Sequence, residues 1–390
     1  MYNSIREESL EKLNDFISNG LKDYSKLRNY DFGQTKRTNV SNLSPFIRKR
    51  IIHEKEVIRE CLDNFNYQHI EKFIQEVFWR AYWKGWLEGR TSVWSEYKKN
   101  LINFKTEFLK GFNNKNYEQA INGRTGIECF DDWVNELINY GYLHNHSRMW
   151  FASIWIHTLQ LPWELGADFF IRNLLDGDPA SNTLSWRWVA GFHTKGKNYI
   201  ADEANIKKFT LNKYKQENVL NKNIKPPEFD VISYLEKKTE NEILDSKNTV
   251  FLININNLSF LKENLDLMLE KKVCFVNQIS NIEYSELQFN FIRKCVDEYL
   301  TFLKTKSIDC EIFSNYKEFN NYIDKSNYKH LCTFYPSIGY ELDLINSNII
   351  SKKVKLNFIY DRFDQICWKF CSAGFFKFKV KIPSIIQKLI

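Results

Sequence analysis

The sequence predicts two domains of different fold class, a helical domain over residues 1–210 followed by a Rossmann-like parallel α/β domain over residues 248–390. A length of 390 residues favours two domains. Glycine and proline are sparse, at 14 and 7 residues, which favours helices over a turn-rich β protein. The spacing of apolar residues also changes between the two halves, from a helical period to short continuous runs.

The first half predicts helices because its apolar residues recur at three- and four-residue spacing. The segments that show this spacing are SLEKLNDFISNGL, KEVIRECLDNF, HIEKFIQEVFWRAYWKGWLEG and CFDDWVNELINYGY. Residues 211–247 are polar and contain a Pro-Pro pair, so they predict a linker with one short helix.

The second half predicts a parallel sheet with crossover helices. Its short β-rich runs are TVFLININ, VCFVNQI, CEIF, HLCTFYP and VKLNFIYD. Amphipathic stretches such as ELQFNFIRKCVDEYLTFLKTK lie between several of them, and this alternation is typical of βαβ units.

Composition excludes several classes of protein. No run of 18 apolar residues is present, and the charged N-terminus lacks the apolar stretch of a signal peptide, so we expect no membrane span and a cytoplasmic protein. None of the eight cysteines forms a C-x-x-C pair, which disfavours a zinc or iron–sulfur site. The net charge of +7 leans toward a polyanionic partner. We expect a monomer.

Candidate functional side chains are most concentrated in residues 174–191, LLDGDPASNTLSWRWVAG. This segment combines two acids, an amide and two indoles. Taken alone, an aspartate pair in a loop is more often a helix cap or turn, and a tryptophan at helical spacing is more often core. His144, His146 and His193 have no carboxylate or cysteine partner at ligand spacing, so we expect no metal. The residues by themselves therefore predict an aromatic- and acid-lined site in a helical domain.

A longer set of motifs resembles the flavin-binding domain of the DNA photolyase and cryptochrome family. The motifs are YSKLRN, SNLSPFI, FIQEVFWRAYW, RTGIECFDDWVNELINYGYLHNHSRMW and LPWELGADFFIRNLLDGDPASNTLSWRWVAG, in the family's order and at family-like spacing. They cover most of residues 20–195. The run from SELQFNFIRKCVDEYLTFLKTKSIDCEIF to GFFKFKVKIPSII is similar, more loosely, to the family's antenna domain. The resemblance therefore implies a photolyase whose flavin domain precedes its α/β domain, the reverse of the usual order.

The resemblance implies FAD as the cofactor and a cyclobutane pyrimidine dimer in UV-damaged DNA as the substrate. Arg148 and Asp176 match the pair beside the flavin ring, Asp178 an acid that accepts hydrogen bonds from the flavin, and Asn182 the residue nearest its reactive nitrogen. The residues that match the wall of the family's FAD site on its phosphate side are Tyr24, Ser41, Leu43 and Ser44. Val40 stands where the family often has threonine.

A second group would face DNA. The residues that match the dimer pocket are Glu76, Trp79, Asn145, Met149 and Trp188, and Asn145 also matches the amide beside the adenine of FAD. Asn145 and Met149 favour the cyclobutane branch over the (6-4) branch, which has histidines there. The candidates for phosphate contact are Arg48, Lys49, Arg50 and Arg80.

The resemblance also implies an electron path to the flavin through Trp186 and Trp163. Lys110 stands at the place of the outer tryptophan and cannot relay an electron, so either Tyr117 or a surface tryptophan completes the path, or the path stops at Trp163. The α/β domain implies a possible second, antenna chromophore of unknown identity. Two alternatives stay open: a cryptochrome-like blue-light photoreceptor that binds FAD without repair, and a flavin-binding remnant that binds DNA without catalysis.

Overall fold

The structure, a computed structural model, describes residues 4–110, 113–215, 217–242, 246–349 and 351–390. The helices of the first half are α1 Ile5–Asn19, α2 Tyr24–Leu27, α3 Ser44–Arg48, α4 Glu54–Asn64, α5 Tyr67–Glu88, α6 Thr91–Thr106, α7 Asn113–Ile121, α8 Glu128–Tyr140, α9 Asn145–Ser153, α10 Trp163–Asn173, α11 Pro179–Val189 and α12 Glu203–Phe209. The segments with helical apolar spacing correspond to α1, α4, α5 and α8, which confirms the helical prediction.

The second half contains a sheet of five parallel strands in the order β3-β2-β1-β4-β5. Its elements are β1 Thr249–Ile253, α13 Lys262–Asp266, β2 Lys272–Val276, α14 Glu286–Thr305, β3 Cys310–Phe313, α15 Tyr316–Lys325, β4 His330–Phe334, α16 Tyr340–Asn348, β5 Lys355–Ile359, α17 Arg362–Trp368, α18 Phe375–Lys379 and α19 Ile382–Leu389. Every predicted apolar run contains a strand, so the predicted fold class of helical and parallel α/β halves is confirmed.

The three central strands, β2, β1 and β4, are covered on both faces, which explains why they are apolar almost without interruption. In β1, Phe251 and Ile253 belong to the large core shared with the helical half. Val250 and Leu252, on the opposite face, belong to a smaller core that includes Phe319 of α15. Period-two alternation of side-chain direction therefore divides one strand between two cores.

The large core does not divide at residue 248, where the predicted α/β domain begins. α17, from the far end of the chain, packs against α5. The backbone N–H of Arg6 in α1 donates to Glu298 of α14 at 2.9 Å. The two-domain division therefore stays a prediction, because the packing joins the two halves.

The predicted linker crosses the surface of the helical half, and the short helix expected from its sequence is not formed within residues 217–242. Residues 217–242 contain no helix or strand, while residues 216 and 243–245 lie outside the described residues. The backbone N–H of Leu235 donates to the carbonyl of Gly89 at 2.9 Å, and Lys237 pairs with Glu88 at 2.6 Å. Contacts with the end of α5, rather than local helical hydrogen bonds, fix the position of this segment.

Candidate functional site

The loop before α11 positions the two aspartates singled out in the sequence. Asp178 is the N-cap of α11, its carboxylate accepts from the backbone N–H of Ser181 at 2.9 Å, and Pro179 occupies the first turn. An acidic cap followed by proline is a strong helix start, because proline lacks the N–H that would otherwise be unpaired. A capping role and a cofactor-binding role for Asp178 are thus both compatible with its position.

Asp176 joins two other predicted cofactor residues in one polar cluster. Nη1 and Nη2 of Arg148 lie 3.0 and 2.8 Å from the two carboxylate oxygens of Asp176, a bidentate pair. The hydroxyl of Ser44, at the start of α3, donates to the same carboxylate at 2.6 Å. Burial alone would lower the pKa of Arg148, but the charge and hydrogen bond of Asp176, together with Tyr142, outweigh burial and raise that pKa. Arg148 therefore stays a cation at every accessible pH.

Asp178 faces a second group of cations. Its carboxylate lies 3.7 Å from Nε of Arg48 and 3.6 Å from Nη2 of Arg80. Burial alone would raise the pKa of Asp178, but Arg48, Arg80 and Lys84 together lower it well below its ordinary value. Burial, together with the charge of Arg80, lowers the pKa of Lys84 to about 8. Asp178 is thus a buried anion surrounded by an excess of positive charge.

The structure contradicts the prediction that Arg48, Lys49, Arg50 and Arg80 contact DNA phosphates. Arg48, Lys49 and Arg50 are only 4%, 3% and 3% exposed, and the side chain of Arg80 is 14% exposed. Arg48 and Arg80 are directed to Asp178, and Nη2 of Arg80 donates to the carbonyl of Arg48 at 3.0 Å. The prediction is wrong because the chain turns inward after α3, between the helices and the α/β half.

Arg50 pairs with acids from the end of the chain. Its guanidinium lies 2.6 Å from Asp364, 3.2 Å from Asp361 and 3.5 Å from Glu54. His53 also lies 3.2 Å from Asp361. Arg50 therefore links α3 and α4 to α17, and its role is structural.

Two hydrogen-bond donors beside Asp178 are unpaired in the described ranges of the chain, and they indicate whether the residues of the site fit FAD. Nη1 of Arg48 and Nε of Arg80 are buried and have no hydrogen-bond partner among the described residues. Buried donors are seldom left unpaired in native proteins, so their position favours a bound group rich in acceptors. A flavin nucleotide, with its carbonyls and pyrophosphate, is such a group, and the residues present fit it.

The remaining predicted cofactor residues surround the same region. Nδ2 of Asn182 donates to the carbonyl of Ala167 at 2.8 Å, which fixes its side chain against α10. The ring of Tyr24 packs edge-on against Phe16 and Phe73 at the start of α2. Leu43 is fully buried, and its backbone N–H donates to the hydroxyl of Ser41 at 3.4 Å. Their contacts with FAD stay predictions.

The residues of the predicted dimer pocket lie on α5, α9 and α11, and α11 packs against the other two helices. Glu76 pairs with Arg28 through one carboxylate oxygen. Asn29, which follows Arg28 in sequence, contacts the ring of His146 through its backbone carbonyl at 3.0 Å. Asn145, the first residue of α9, is exposed beside that contact. Glu76 and Asn145 are therefore brought to one surface.

The aromatic members of the predicted pocket already have stacking partners. Trp79 stacks on Phe375 of α18, with ring centroids 3.5 Å apart and an interplanar angle of 11°. Trp188 stacks on Tyr199 at 5.4 Å and 28°. Both tryptophans are half-buried, as is Met149. One face of Trp79 is thus covered by the C-terminal segment, and a pyrimidine would need the other face.

A third tryptophan, Trp155, lies beside the predicted electron path. Trp186 is buried, and its nearest tryptophan is Trp155, with centroids 6.1 Å apart. Tyr117 contacts Trp155 in turn at 6.0 Å. Trp163 instead stacks on Tyr97 at 5.6 Å. The exposed Lys110 has no ring, and the roles of Trp186 and Trp163 stay predictions.

Sequence reasoning missed Arg28, Lys84, Trp155 and Phe375. Arg28 and Lys84 each lie four residues after a predicted site residue on a helix, Tyr24 and Arg80, and this spacing places them on the same face. Nothing in the sequence pairs Phe375 with Trp79, which is nearly 300 residues away.

A cavity of about 600 Å³ lies away from this site, between α1, α13 and α14, and is lined by residues such as Arg6, Phe260, Lys262 and Phe302. It contains none of the predicted site residues, so we place the candidate site on the acid–arginine cluster. Among the described residues, no helix is both long and apolar enough to cross a lipid bilayer.

Comparison with known proteins finds relatives of the segment that contains the candidate site. Residues 73–221 match the family model described as FAD binding domain of DNA photolyase. A deoxyribodipyrimidine photo-lyase from Buchnera aphidicola is 26% identical, over 50% of this chain and 40% of that protein. One from Agrobacterium fabrum is 31% identical, over 47% of this chain and 37% of that protein. The chain thus matches about two fifths of the length of these curated relatives.

Among solved structures, a bacterial class III photolyase from Agrobacterium tumefaciens aligns at a TM-score of 0.44 and 27% identity, covering 52% of this chain and 42% of that chain. The match to the family model contains Asp176, Asp178, Arg148 and Asn182, and it ends before the sheet. This segment of the chain is therefore similar to the FAD binding domain of DNA photolyase.

Proposed function

We propose that the protein is a light-driven DNA repair enzyme, a deoxyribodipyrimidine photo-lyase that splits cyclobutane pyrimidine dimers. The observation that carries the proposal is the cluster of Arg148, Asp176 and Ser44, which lies beside Asp178. Both acids fall in the segment that matches the FAD binding domain of DNA photolyase. The names of the curated relatives support the substrate class.

The proposed cofactor is FAD, held in part by Arg148, Asp178 and Asn182 at its ring. Bound, reduced FAD supplies on blue-light excitation the electron that splits the dimer. Arg148 cannot lose its proton in this setting, so it provides fixed positive charge beside an anionic cofactor. The spare donors of Arg48 and Arg80 add hydrogen bonds, and burial strengthens each of these interactions. The phosphate side would contact Tyr24, Ser41, Leu43 and Ser44.

The proposed substrate pocket receives an extruded dimer, since photolyases are among the enzymes that flip their target out of the duplex. Trp79 and Trp188 would supply planar walls, while Met149 adds an apolar contact. Only one oxygen of Glu76 is paired with Arg28, which leaves the other to accept a hydrogen bond from a pyrimidine. Asn145 is exposed and can donate or accept.

A repair assay tests the proposal. The reduced protein should restore thymine-dimer oligonucleotides under blue light, leave (6-4) lesions unrepaired, and do nothing in the dark. Glu76→Gln provides a matched variant, because it keeps the shape of the side chain and removes the charge. It should slow dimer repair without changing the FAD content.

Normal FAD content without repair of either lesion would instead favour the cryptochrome-like photoreceptor. A protein that binds no FAD after reconstitution would contradict both functions. A second chromophore in the α/β half would appear in the same preparation as absorbance that FAD does not account for.

A further inference from the structure

A basic edge follows the contact between Phe375 and Trp79, and we define it as Phe376, Lys377, Lys379, Val380 and Lys381. We propose that this edge binds the phosphate backbone of DNA beside the dimer pocket. The proposal rests on the proposed function, because DNA is the partner that function supplies. The basic edge would take the place of residues 48–50, which the sequence predicted to contact DNA phosphates and which are buried.

The C-terminal segment is strongly basic. Residues 365–390 contain five lysines and no acidic residue. Lys377 and Lys381 are exposed and Lys379 is half-buried. Within the described part of the chain, none of the five lysines forms an ion pair with an acid. Their charge is therefore available to an external polyanion.

Two aromatic anchors fix the basic edge to the helical half. Phe375 stacks on Trp79, and the fully buried Phe378 lies 5.5 Å from the ring of Tyr82, also on α5. The side chains between and after these anchors point outward, and Phe376 and Val380 are 80% and 70% exposed. The lysines are thus held on a supported surface that begins at the wall of the predicted pocket.

This composition fits a nucleic acid backbone next to an extruded base. Lysines neutralise phosphates, and such contacts position a protein on DNA without reading sequence. Exposed apolar side chains between them, Phe376 above all, suit bases or sugars uncovered when the duplex is opened. An anionic membrane surface has similar chemistry, but the stacking of Phe375 on Trp79 places the edge at the pocket, which favours DNA.

The test compares two triple variants of the complete protein. The first is Lys377→Gln with Lys379→Gln and Lys381→Gln. The control is Lys317→Gln with Lys325→Gln and Lys329→Gln, which removes the same charge from exposed lysines on and after α15. Binding to undamaged and dimer-containing duplexes is measured by fluorescence anisotropy from low to moderate salt.

The basic-edge variant should lose affinity for both duplexes by a similar factor, on the order of tenfold at moderate salt, and its salt slope should fall by about 2–3. FAD content and repair at saturating DNA should match the unmodified protein, since the edge touches neither cofactor nor dimer. The control should keep the original salt slope.

Three outcomes would overturn the proposal: an unchanged salt slope, an equal loss in the control variant, or an unmodified protein that does not bind DNA. Unchanged DNA binding with lost binding to phosphatidylcholine vesicles containing phosphatidylserine would assign the edge to membranes. Failure of the proposed function looks different, because the protein would then bind DNA through the basic edge and repair nothing under light.

Discussion

Arg50→Ala tests the strongest disagreement between sequence and structure. Arg50 is 3% exposed, and its guanidinium lies within 3.5 Å of the carboxylates of Glu54, Asp361 and Asp364. Removing it leaves buried acids without their main cation. Breaking a buried pair in this way costs about 3–5 kcal/mol of the free energy of unfolding. We expect a loss of that size at neutral pH, and unchanged DNA affinity where the variant is folded.

The pH dependence of this loss follows from Asp361. Burial would raise the pKa of Asp361, but Arg50 and His53 hold it far below its ordinary value. A carboxyl with a depressed pKa contributes stability above its unfolded pKa of about 3.9, and that contribution is lost as the pH falls through the folded pKa. The difference between the unmodified protein and Arg50→Ala should therefore be largest near neutral pH and shrink as the pH falls below about 4.

Urea unfolding followed by tryptophan fluorescence measures the change. Arg59→Ala is the control, because Arg59 is exposed on α4, and its effect should stay within about 0.5 kcal/mol. If Arg50→Ala unfolds like the control but weakens DNA binding, then Arg50 contacts phosphate and the structural role derived from its burial is refuted.

Three further variants test the cofactor, pocket and electron-path residues. Asp178→Ala should lose most of the FAD, measured as flavin absorbance per chain. Full FAD content would instead limit Asp178 to a structural role, capping α11 and pairing with Arg48 and Arg80. Trp79→Ala should weaken binding to dimer-containing DNA by about 1–3 kcal/mol, roughly 5- to 150-fold, and hardly change binding to undamaged DNA; an equal loss on both would assign Trp79 to packing with Phe375. Trp186→Phe should severely slow photoreduction of the flavin by external thiol, and Trp163→Phe should slow it too. Repair by chemically reduced protein should survive both substitutions. A normal photoreduction rate in Trp186→Phe would show that electrons reach the flavin by another route.

Local periodicity predicted all five strands but only four helices of the first half, α1, α4, α5 and α8. Every residue of β1 is buried, so its run of apolar residues is unbroken, as expected for a strand covered on both faces. The predicted run TVFLININ continues past the end of β1, where Asn254 and Ile255 are also buried, although they lie outside the strand. Asn254 donates to the carbonyl of Phe334 at 2.6 Å, a tertiary contact that apolar spacing does not indicate.

The candidate site was predictable only where its partners are close in sequence or fixed by family motifs. Arg148 and Asp176 were predicted to lie together and do so. The basic run of residues 48–50 looked like a solvated or DNA-facing surface, because two of the three acids that pair with Arg50, Asp361 and Asp364, follow more than 300 residues later. A charge run carries no local signal of burial, since burial depends on which distant acids return to it.

Packing between residues distant in sequence also joins the two halves of the chain. Gly85 lies inside α5, where glycine costs about 1 kcal/mol relative to alanine. A Cβ at this position would lie 2.6 Å from the ring of Trp368 and 2.7 Å from Sγ of Cys371, so no larger residue fits without displacing α17. Phe375 then continues the contact along α5 to Trp79. Residues 362–390 follow the sheet in sequence but complete the helical core in space. The helix that carries Glu76, Trp79 and Arg80 is therefore supported by the end of the chain, and the orientation of the predicted pocket depends on the α/β half being folded.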